Sequence, residues 1–366
     1  MSTILAVNAG SSSVKLRLLD GDRVVDASDL PPMDEAETPD RLEAFIREAR
    51  EPDAIGHRVV HGGTDLRESV IVTNEVVGRL RASLNLAPLH NPPALAGIDA
   101  VRRLLPGIVN VACFDTAFHA TIPGHAATYA IPRSWTERGV RRFGFHGLSH
   151  AYAARRSGEV LGHPANELRI VTCHLGAGAS LAAVAYGSSV DTTMGFTPLE
   201  GLVMATRSGS VDPGALLWLQ RSLGVSATEM ERALELESGL LSLCGTSDMR
   251  ELLRRADAGD DRARLAKEIY VHHLRRWIAA MAASMGAVDV IAFTGGVGEG
   301  SMEIRAAGCE GLGFLGVRLD NSRNERSDPE DSELSAADSA VKVTLIHARE
   351  ELEIAREVRR VAGLEP

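Results

Sequence analysis

Apolar positions along this chain fall in short runs broken by glycine, and one such arrangement occurs twice. Ile4 to Val7 leads through Asn8 into the turn Gly10-Ser11-Ser12-Ser13, and a second apolar run follows from Val14 with Lys15 inside it. Far downstream, Ile170 to Cys173 leads through His174 and Leu175 into Gly176-Ala177-Gly178, and Ala179 begins another apolar run. Each pattern predicts a strand–turn–strand hairpin whose small turn residues let backbone N–H groups approach an anion. A phosphate chain gripped by two such hairpins calls for two similar domains facing one cleft.

Between and after the hairpins, the pattern predicts strands at 53–60 and 109–115 and helices at 80–85, 92–105 and 149–160. The helix at 92–105 opens at a proline, which suits a first helical turn. The strand at 109–115 is apolar until it delivers Asp115 at its C-terminal end, the edge where α/β sheets hold ligands. Further on come an amphipathic helix at 226–243, capped by Ser226 or Thr228, and a long helix at 261–285. A strand at 288–294 then runs straight into Gly295-Gly296-Val297-Gly298-Glu299-Gly300. Residues 320–340 are polar, acidic and aperiodic and read as an exposed loop; a strand at 341–346 and a helix at 350–362 close the chain. Strands alternating with helices, with the opening hairpin repeated near the middle, predict two related α/β lobes.

Composition narrows the possibilities. A chain of 366 residues exceeds one comfortable core, so two domains are the expectation. No uninterrupted apolar stretch reaches the roughly 18 residues of a membrane span; the best candidate, 278–293, contains Asp289 and reads as a helix running into a strand. The first residues enter a strand directly, without a basic segment and apolar signal core, so the expected location is cytoplasmic. Cys113, Cys173, Cys244 and Cys309 form no CxxC pair and read as buried free thiols. The net charge of −10 argues against nucleic acid or an anionic membrane as partner. Positive charge that handles an anion must then be concentrated locally.

Several residues could carry chemistry. In the first hairpin, Ser11, Ser13 and Lys15 could cradle phosphate, and the Asn8 carbonyl could hold water of a hydrated magnesium ion; a plain serine-rich turn is the alternative. Gly56-His57-Arg58-Val59-Val60-His61-Gly62-Gly63 sets one arginine between two histidines, offering a fork for a carboxylate or phosphoryl group or else a structural ion pair. Asp115 could orient that guanidinium, accept a proton or cap a turn. His146, between Gly144-Phe145 and Gly147, is either a structural histidine or one that something approaches closely. Arg207 lies in a stretch with almost no other positive charge, so burying it is costly unless it meets an anion. The glycines at 296, 298 and 300 alternate and do not fit the Rossmann spacing.

Taken in order, these segments resemble the acetate kinase family of short-chain carboxylate kinases, within the acetate-and-sugar-kinase, heat-shock and actin superfamily. The resemblance runs from the Asn8 hairpin to the segment 350–356, and its strongest signatures are 4–15 and 191–213. Gly56 to Gly63, Leu86-Ala87-Pro88-Leu89-His90-Asn91-Pro92 and Phe114-Asp115-Thr116-Ala117-Phe118-His119 add three more. The resemblance implies two actin-like (ribonuclease H-like) lobes around a central cleft. Residues 1–148, completed by a C-terminal helix at 350–366, would form the acyl and metal side. Residues 149–349 would form the nucleotide-binding and dimerisation lobe.

The implied reaction is reversible transfer of the γ-phosphoryl group of ATP to acetate, giving acetyl phosphate and ADP, with Mg2+ or alternatively Mn2+. Asn8 and Glu350 would bind the metal. Ser11, Ser13 and Lys15 would line the phosphate path, and Asp115, His146 and Arg207 would be catalytic. Arg58, Val60, Leu89, Phe145 and Pro198 would form the acyl site, with Val60 limiting its size. The nucleotide side would comprise His174, Leu175, Gly176, Ala177 and Gly178, then Asp248, Met249 and Arg250, then Gly296, Val297, Gly298, Glu299 and Gly300. A homodimer through the second lobe is also implied, with the helix near 277–285 as one candidate surface. Three positions depart from the family pattern: Ala177 and Gly300 stand where asparagines are usual, and Ser210 replaces an aspartate. Two other readings remain: a propionate or butyrate kinase, and a non-catalytic nucleotide sensor on the same fold.

Overall fold

The computed structural model describes residues 2–10, 13–84, 91–326 and 330–365. Strands β1 (Thr3–Ala9), β2 (Val14–Asp20), β3 (Arg23–Leu30), β4 (Ala54–Val59), β5 (Val70–Ile71) and β6 (Val109–Phe114) form one sheet in the order β3-β2-β1-β4-β6-β5. Strands β7 (Arg169–Leu175), β8 (Ala179–Ala185), β9 (Ser188–Thr192), β10 (Val290–Thr294), β11 (Ser332–Glu333) and β12 (Lys342–Leu345) form a second sheet, ordered β11-β12-β10-β7-β8-β9. Read from their meander ends, both sheets begin with the three strands of a hairpin repeat, and directions agree as well. Each starts as an antiparallel three-strand meander, continues with two parallel strands and ends on a short antiparallel one. Each is an actin-like lobe, as expected.

The period-two pattern of β1 explains how the first sheet is packed. Leu5, Val7 and Ala9 face one core with Leu42 and Val101, from helices Thr38–Glu48 and Asn91–Leu104. Ile4 and Ala6 face another core, made with Ile354, Ala355 and Val358 of helix Glu350–Ala362. Gly56 permits that approach: a Cβ there would lie 2.3 Å from Ile354 and 2.6 Å from Val358. In the second sheet β8 is buried along nearly its whole length, and helix Asp261–Ser284, with Ala263, Ala266, Tyr270 and Leu274 buried, packs on it.

The chain divides into two compact units: Met1–Ala120 with Phe145–Tyr152 and Arg349–Pro366, and Thr121–Gly144 with Ala153–Ala348. The segment 121–144 therefore groups with the second unit and not with the first lobe, where the sequence reading had it. Its hydrogen bonds explain why: Thr121 Oγ1 donates to Ser189 O at 2.8 Å and Phe143 N donates to Gly195 O at 3.0 Å.

Other departures have local causes. The helix expected at 80–85 is Asn74–Ala82, set earlier by the Thr73 cap, whose hydroxyl accepts from Val76 N at 3.2 Å. The helix expected at 226–243 breaks into Ala227–Leu236 and Gly239–Cys244. Gly239 has φ +62, and a Cβ there would meet Met204 O at 2.2 Å, so the chain bends to receive the loop bearing Arg207. Ser226 caps the first piece with a full capping box. Residues 295–300 form a short helix rather than an open turn. The stretch 320–340 is no exposed loop: it holds helix Asn321–Glu325, strand β11 and the buried residues Asn324, Leu334 and Ser335. Among the described residues, no helix is long and apolar enough to cross a membrane.

Candidate active site

Three neighbouring parallel strands of the first unit end at one edge. Asn8 is the sixth of seven residues in β1, Arg58 the fifth of six in β4, and Asp115 directly follows β6. That edge is where α/β sheets place ligands. Arg58 donates to Asp115 through Nε at 3.1 Å and Nη2 at 2.5 Å, and through Nη1 to Asn8 Oδ1 at 3.2 Å. Asn8 Nδ2 donates to Glu350 Oε2 at 3.3 Å, and the same oxygen lies 3.6 Å from Arg58 Nε. The Asp115 side chain is 1% exposed and that of Arg58 18%.

Burial alone would lower the Arg58 pKa, but Asp115 and Glu350 outweigh it and raise the value above the ordinary one. Burial pushes the Asp115 carboxyl up to about 6, against the downward pull of Arg58 and with a further push from Glu350. At neutral pH the pair is therefore ionised. The flanking histidines do not share this chemistry. Burial lowers both His57 and His61 to about 4; His57 Nε2 meets Asn110 Oδ1 at 2.7 Å and His61 Nδ1 accepts from Gly63 N at 2.8 Å.

His146 has φ +55, a conformation that strains a residue with a Cβ and that clusters at functional sites. The next residue explains how it is held. Gly147 N donates to Asp115 O at 2.9 Å, and a Cβ on Gly147 would sit 2.1 Å from that oxygen. The turn bearing His146 is thus latched to the backbone of Asp115. Phe145 is buried edge-on against His61, and its carbonyl accepts from His119 Nε2 at 3.0 Å. Val60 is half-buried just beyond β4. In the first hairpin, Gly10 N donates to Ser13 O at 2.9 Å, and exposed Lys15 pairs across the ladder with Asn8. Ser11 and Leu89 lie outside the described residues.

The second unit repeats the edge with different contents. His174 is the sixth of seven residues in β7 and stands opposite Thr294 of β10. The turn closes when Gly176 N donates to Gly178 O at 3.0 Å. A cavity of about 610 Å3 opens here, lined by Gly176, Ala177, Asp248, Met249, Arg250, Gly296, Val297 and Gly300 among the expected residues. Tyr270, Leu240 and Ser301 also line it and carry no sequence signal. His174, Leu175, Gly178, Gly298 and Glu299 stand outside the lining. Glu299 is engaged elsewhere, its Oε1 accepting from Gly295 N and from Ala348 N, both at 2.9 Å. Asp248 caps helix Met249–Asp257 and pairs with Arg250 at 2.8 Å, and the Arg250 hydrogen bonds draw its carboxyl down to about 2.

Arg207 sits 3.6 Å from Glu235 with 18% of its side chain exposed; burial lowers its pKa and Glu235 offsets only part of that. Pro198 is buried in a loop held by residues that the sequence reading passed over. Arg142 donates to the carbonyls of Thr192 and Met194 at 2.9 and 3.0 Å and to Glu200 Oε1 at 2.8 Å. Tyr129 donates to Glu200 Oε2 at 2.6 Å while accepting from Phe196 N. The one available signal was Arg142 itself, a cation directly before the Phe143-Gly144 turn.

The acetokinase family model matches residues 35–356. Acetate kinase of Nostoc punctiforme is 50% identical over 307 residues, covering 84% of this chain and 76% of that protein. The chain belongs to the acetokinase family. Among solved structures, Porphyromonas gingivalis acetate kinase superposes with a TM-score of 0.91 at 37% identity, covering 99% of this chain and 100% of that one. A propionate kinase from Francisella tularensis gives 0.89 at 35% identity, covering 99% and 100%. The family likeness that the sequence motifs suggested therefore extends over the whole fold.

Proposed function

We propose that this protein is an acetate kinase, moving the γ-phosphoryl group of ATP reversibly to acetate to give acetyl phosphate and ADP. Membership of the family makes it a kinase with a carboxylate acceptor. The observation that carries the fuller reading is the Asn8–Arg58–Asp115–Glu350 cluster, an ionised arginine buried with its fork aimed by a carboxylate.

The chemistry asks for positioning more than for a base, because a carboxylate is already a nucleophile. The difficulty is bringing two anions together in line and accommodating charge spread over three phosphoryl oxygens. Asp115 fixes two nitrogens of Arg58, which leaves the guanidinium a defined orientation toward an acyl carboxylate. His146, held beside Asp115, donates to the migrating group. The second unit carries the cation Arg207, for the phosphoryl group, together with Pro198, and its cavity between the Gly176 and Gly296 turns takes ADP. In the first unit Val60 and Phe145 flank the methyl group.

Asn8 and Glu350 offer two hard oxygen donors, and no group of three acidic, histidine or cysteine ligands exists among the described residues. Mg2+ commonly takes one or two protein oxygens and fills its shell with phosphate and water, so the pair fits it; Mn2+ takes the same donors. When bound, the ion neutralises charge on the β- and γ-phosphates.

The reading includes a homodimer. Helix Pro213–Leu223 buries none of its residues, leaving Leu217, Trp218 and Leu223 at 55%, 53% and 64% exposed. An apolar helix without a partner is marginal in water, and a second copy of the same helix across a two-fold axis would cover it. The segment 277–285 is the weaker candidate, since Ile278, Met281 and Ala282 are buried in their own unit. Four free, buried cysteines and a nucleotide co-substrate fit a reducing compartment, the cytoplasm.

Hydroxylamine trapping tests the activity: ATP, Mg2+ and acetate should yield acetyl hydroxamate. A nucleotide bound without any hydroxamate would mean a sensor instead. The Francisella neighbour gives the second reading its support, and kcat/KM for acetate, propionate and butyrate decides it. One methylene discriminates about 10- to 200-fold, so a higher value for propionate would move the assignment.

A further inference from the structure

Arg305 lies on helix Met302–Cys309 and is 3% exposed. No carboxylate stands within ion-pair distance of it among the described residues. Its partners are neutral: Nε donates to Asn324 Oδ1 at 2.8 Å, Nη2 to Asn324 O at 2.9 Å, and Nη1 to Gly298 O and Glu299 O at 2.9 and 2.7 Å. Asn324 is itself anchored, donating through Nδ2 to Met302 O at 2.9 Å. A buried cation normally meets an acid, because an uncompensated charge is expensive away from water. Burial accordingly lowers the Arg305 pKa. Neutral donors could have satisfied the same carbonyls without that penalty.

Gly298 and Glu299 belong to the short helix Gly295–Gly300, whose Gly296, Val297 and Gly300 line the second-unit cavity. Glu299 fastens the start of that helix through Gly295 N, and Arg305 fastens its end. We propose that Arg305 is a positioning residue for the nucleotide: it fixes the Gly295–Gly300 helix, and its charge, which no carboxylate among the described residues pairs, is matched by the phosphates of the bound ligand. This rests on the cavity being the nucleotide site.

The test is ADP binding by calorimetry, beside KM for ATP and for acetate. Arg305→Met should weaken ADP about tenfold or more, the range for losing a hydrogen bond to a charged group, with acetate KM within about twofold. Arg305→Lys keeps the charge but cannot span both carbonyls and Asn324, and should fall between. A folded Arg305→Met that binds ADP as tightly as wild type overturns the proposal, as does equal weakening of ADP and acetate. If circular dichroism finds Arg305→Met unfolded, Asn324→Ala decides. It should weaken ADP about threefold, and unchanged affinity overturns the proposal. Wild-type protein that binds ADP but makes no acyl phosphate defeats the kinase reading while leaving the Arg305 result valid; wild type that binds no ADP defeats both.

Discussion

The two sheets share strand directions and hairpin turns, yet their corresponding edges hold opposite chemistry. At the end of β1 stands Asn8, hydrogen-bonded to Arg58 of β4; at the same place in β7 stands His174, opposite Thr294 of β10. The first edge is crowded with charge, four groups linked within hydrogen-bond and ion-pair distances. The second is emptied by glycine and alanine to leave a cavity of about 610 Å3. The same scaffold is thus put to two uses. Fixed charge suits a small anion and its metal, and open volume suits a nucleoside. Substitutions at the two edges should fail in different ways.

The largest effects should come from the two arginines, and they separate the edges. Arg58→Ala and Arg207→Ala should each lower turnover by about 10³-fold or more, the range for an arginine that stabilises phosphoryl transfer. Their stabilities should differ. Removing Arg58 strands Asp115, 1% exposed, without its counter-ion, which typically costs about 3–5 kcal/mol. Removing Arg207 leaves Glu235, 3.6 Å from it and 14% exposed, in partial contact with water. Urea denaturation should therefore register Arg58→Ala as clearly the less stable variant. Equal stabilities, or near-wild-type turnover in either, would undo the contrast.

A smaller effect follows from Asp115. Its carboxyl titrates near 6 in the folded protein against an ordinary value of 3.8, chiefly through burial. Below about pH 6 it takes a proton and releases its hold on Arg58. Then kcat/KM, which reports the free enzyme, should fall about tenfold per pH unit. The sign for stability is the reverse. The folded state binds this proton more tightly than the unfolded chain, so between 6 and 3.8 the group favours folding as pH falls. Activity lost at about pH 5 should return on neutralisation, with circular dichroism unchanged throughout. Asp115→Asn should abolish the acid limb; a limb that survives belongs to the substrates.

What could be read from sequence follows the range of the forces involved. The hairpins, Asn8 and Asp115 were legible because strand periodicity and a turn lie within a few residues of one another. β3 was not, since an edge strand with its residues exposed has no apolar alternation to reveal it. The break at Gly239 was invisible because a distant oxygen, Met204 O, imposes it. The family resemblance implied Glu299 as a nucleotide contact. Its carboxylate accepts from Gly295 N and from Ala348 N, the latter 49 residues away in sequence. Arg305 and Asn324, 19 residues apart, left no local signature at all. The acid-rich composition around Asn324 suggested solvent, whereas its side chain is buried and fully engaged.

The gentlest perturbation acts on the empty edge alone. Ala177 is exposed and Gly300 has nothing within 4 Å of where a Cβ would stand, so polar side chains fit at both without displacing anything. Gly300 closes a short helix, and its φ does not lie in the left-handed region that would strain a larger residue. Gly300→Asn should therefore fold as wild type and add one neutral hydrogen-bonding group to the cavity wall, worth about 0.5–1.5 kcal/mol. The expected reading is a KM for ATP lowered about two- to tenfold, with KM for acetate unchanged because Arg58, Val60 and Phe145 lie on the other scaffold. Ala177→Asn should act in the same direction. If instead Gly300→Asn raises KM for ATP, the cavity needs its open space more than it needs a partner for the base. If it shifts acetate and ATP together, the two edges are not the independent halves that their separate contents suggest.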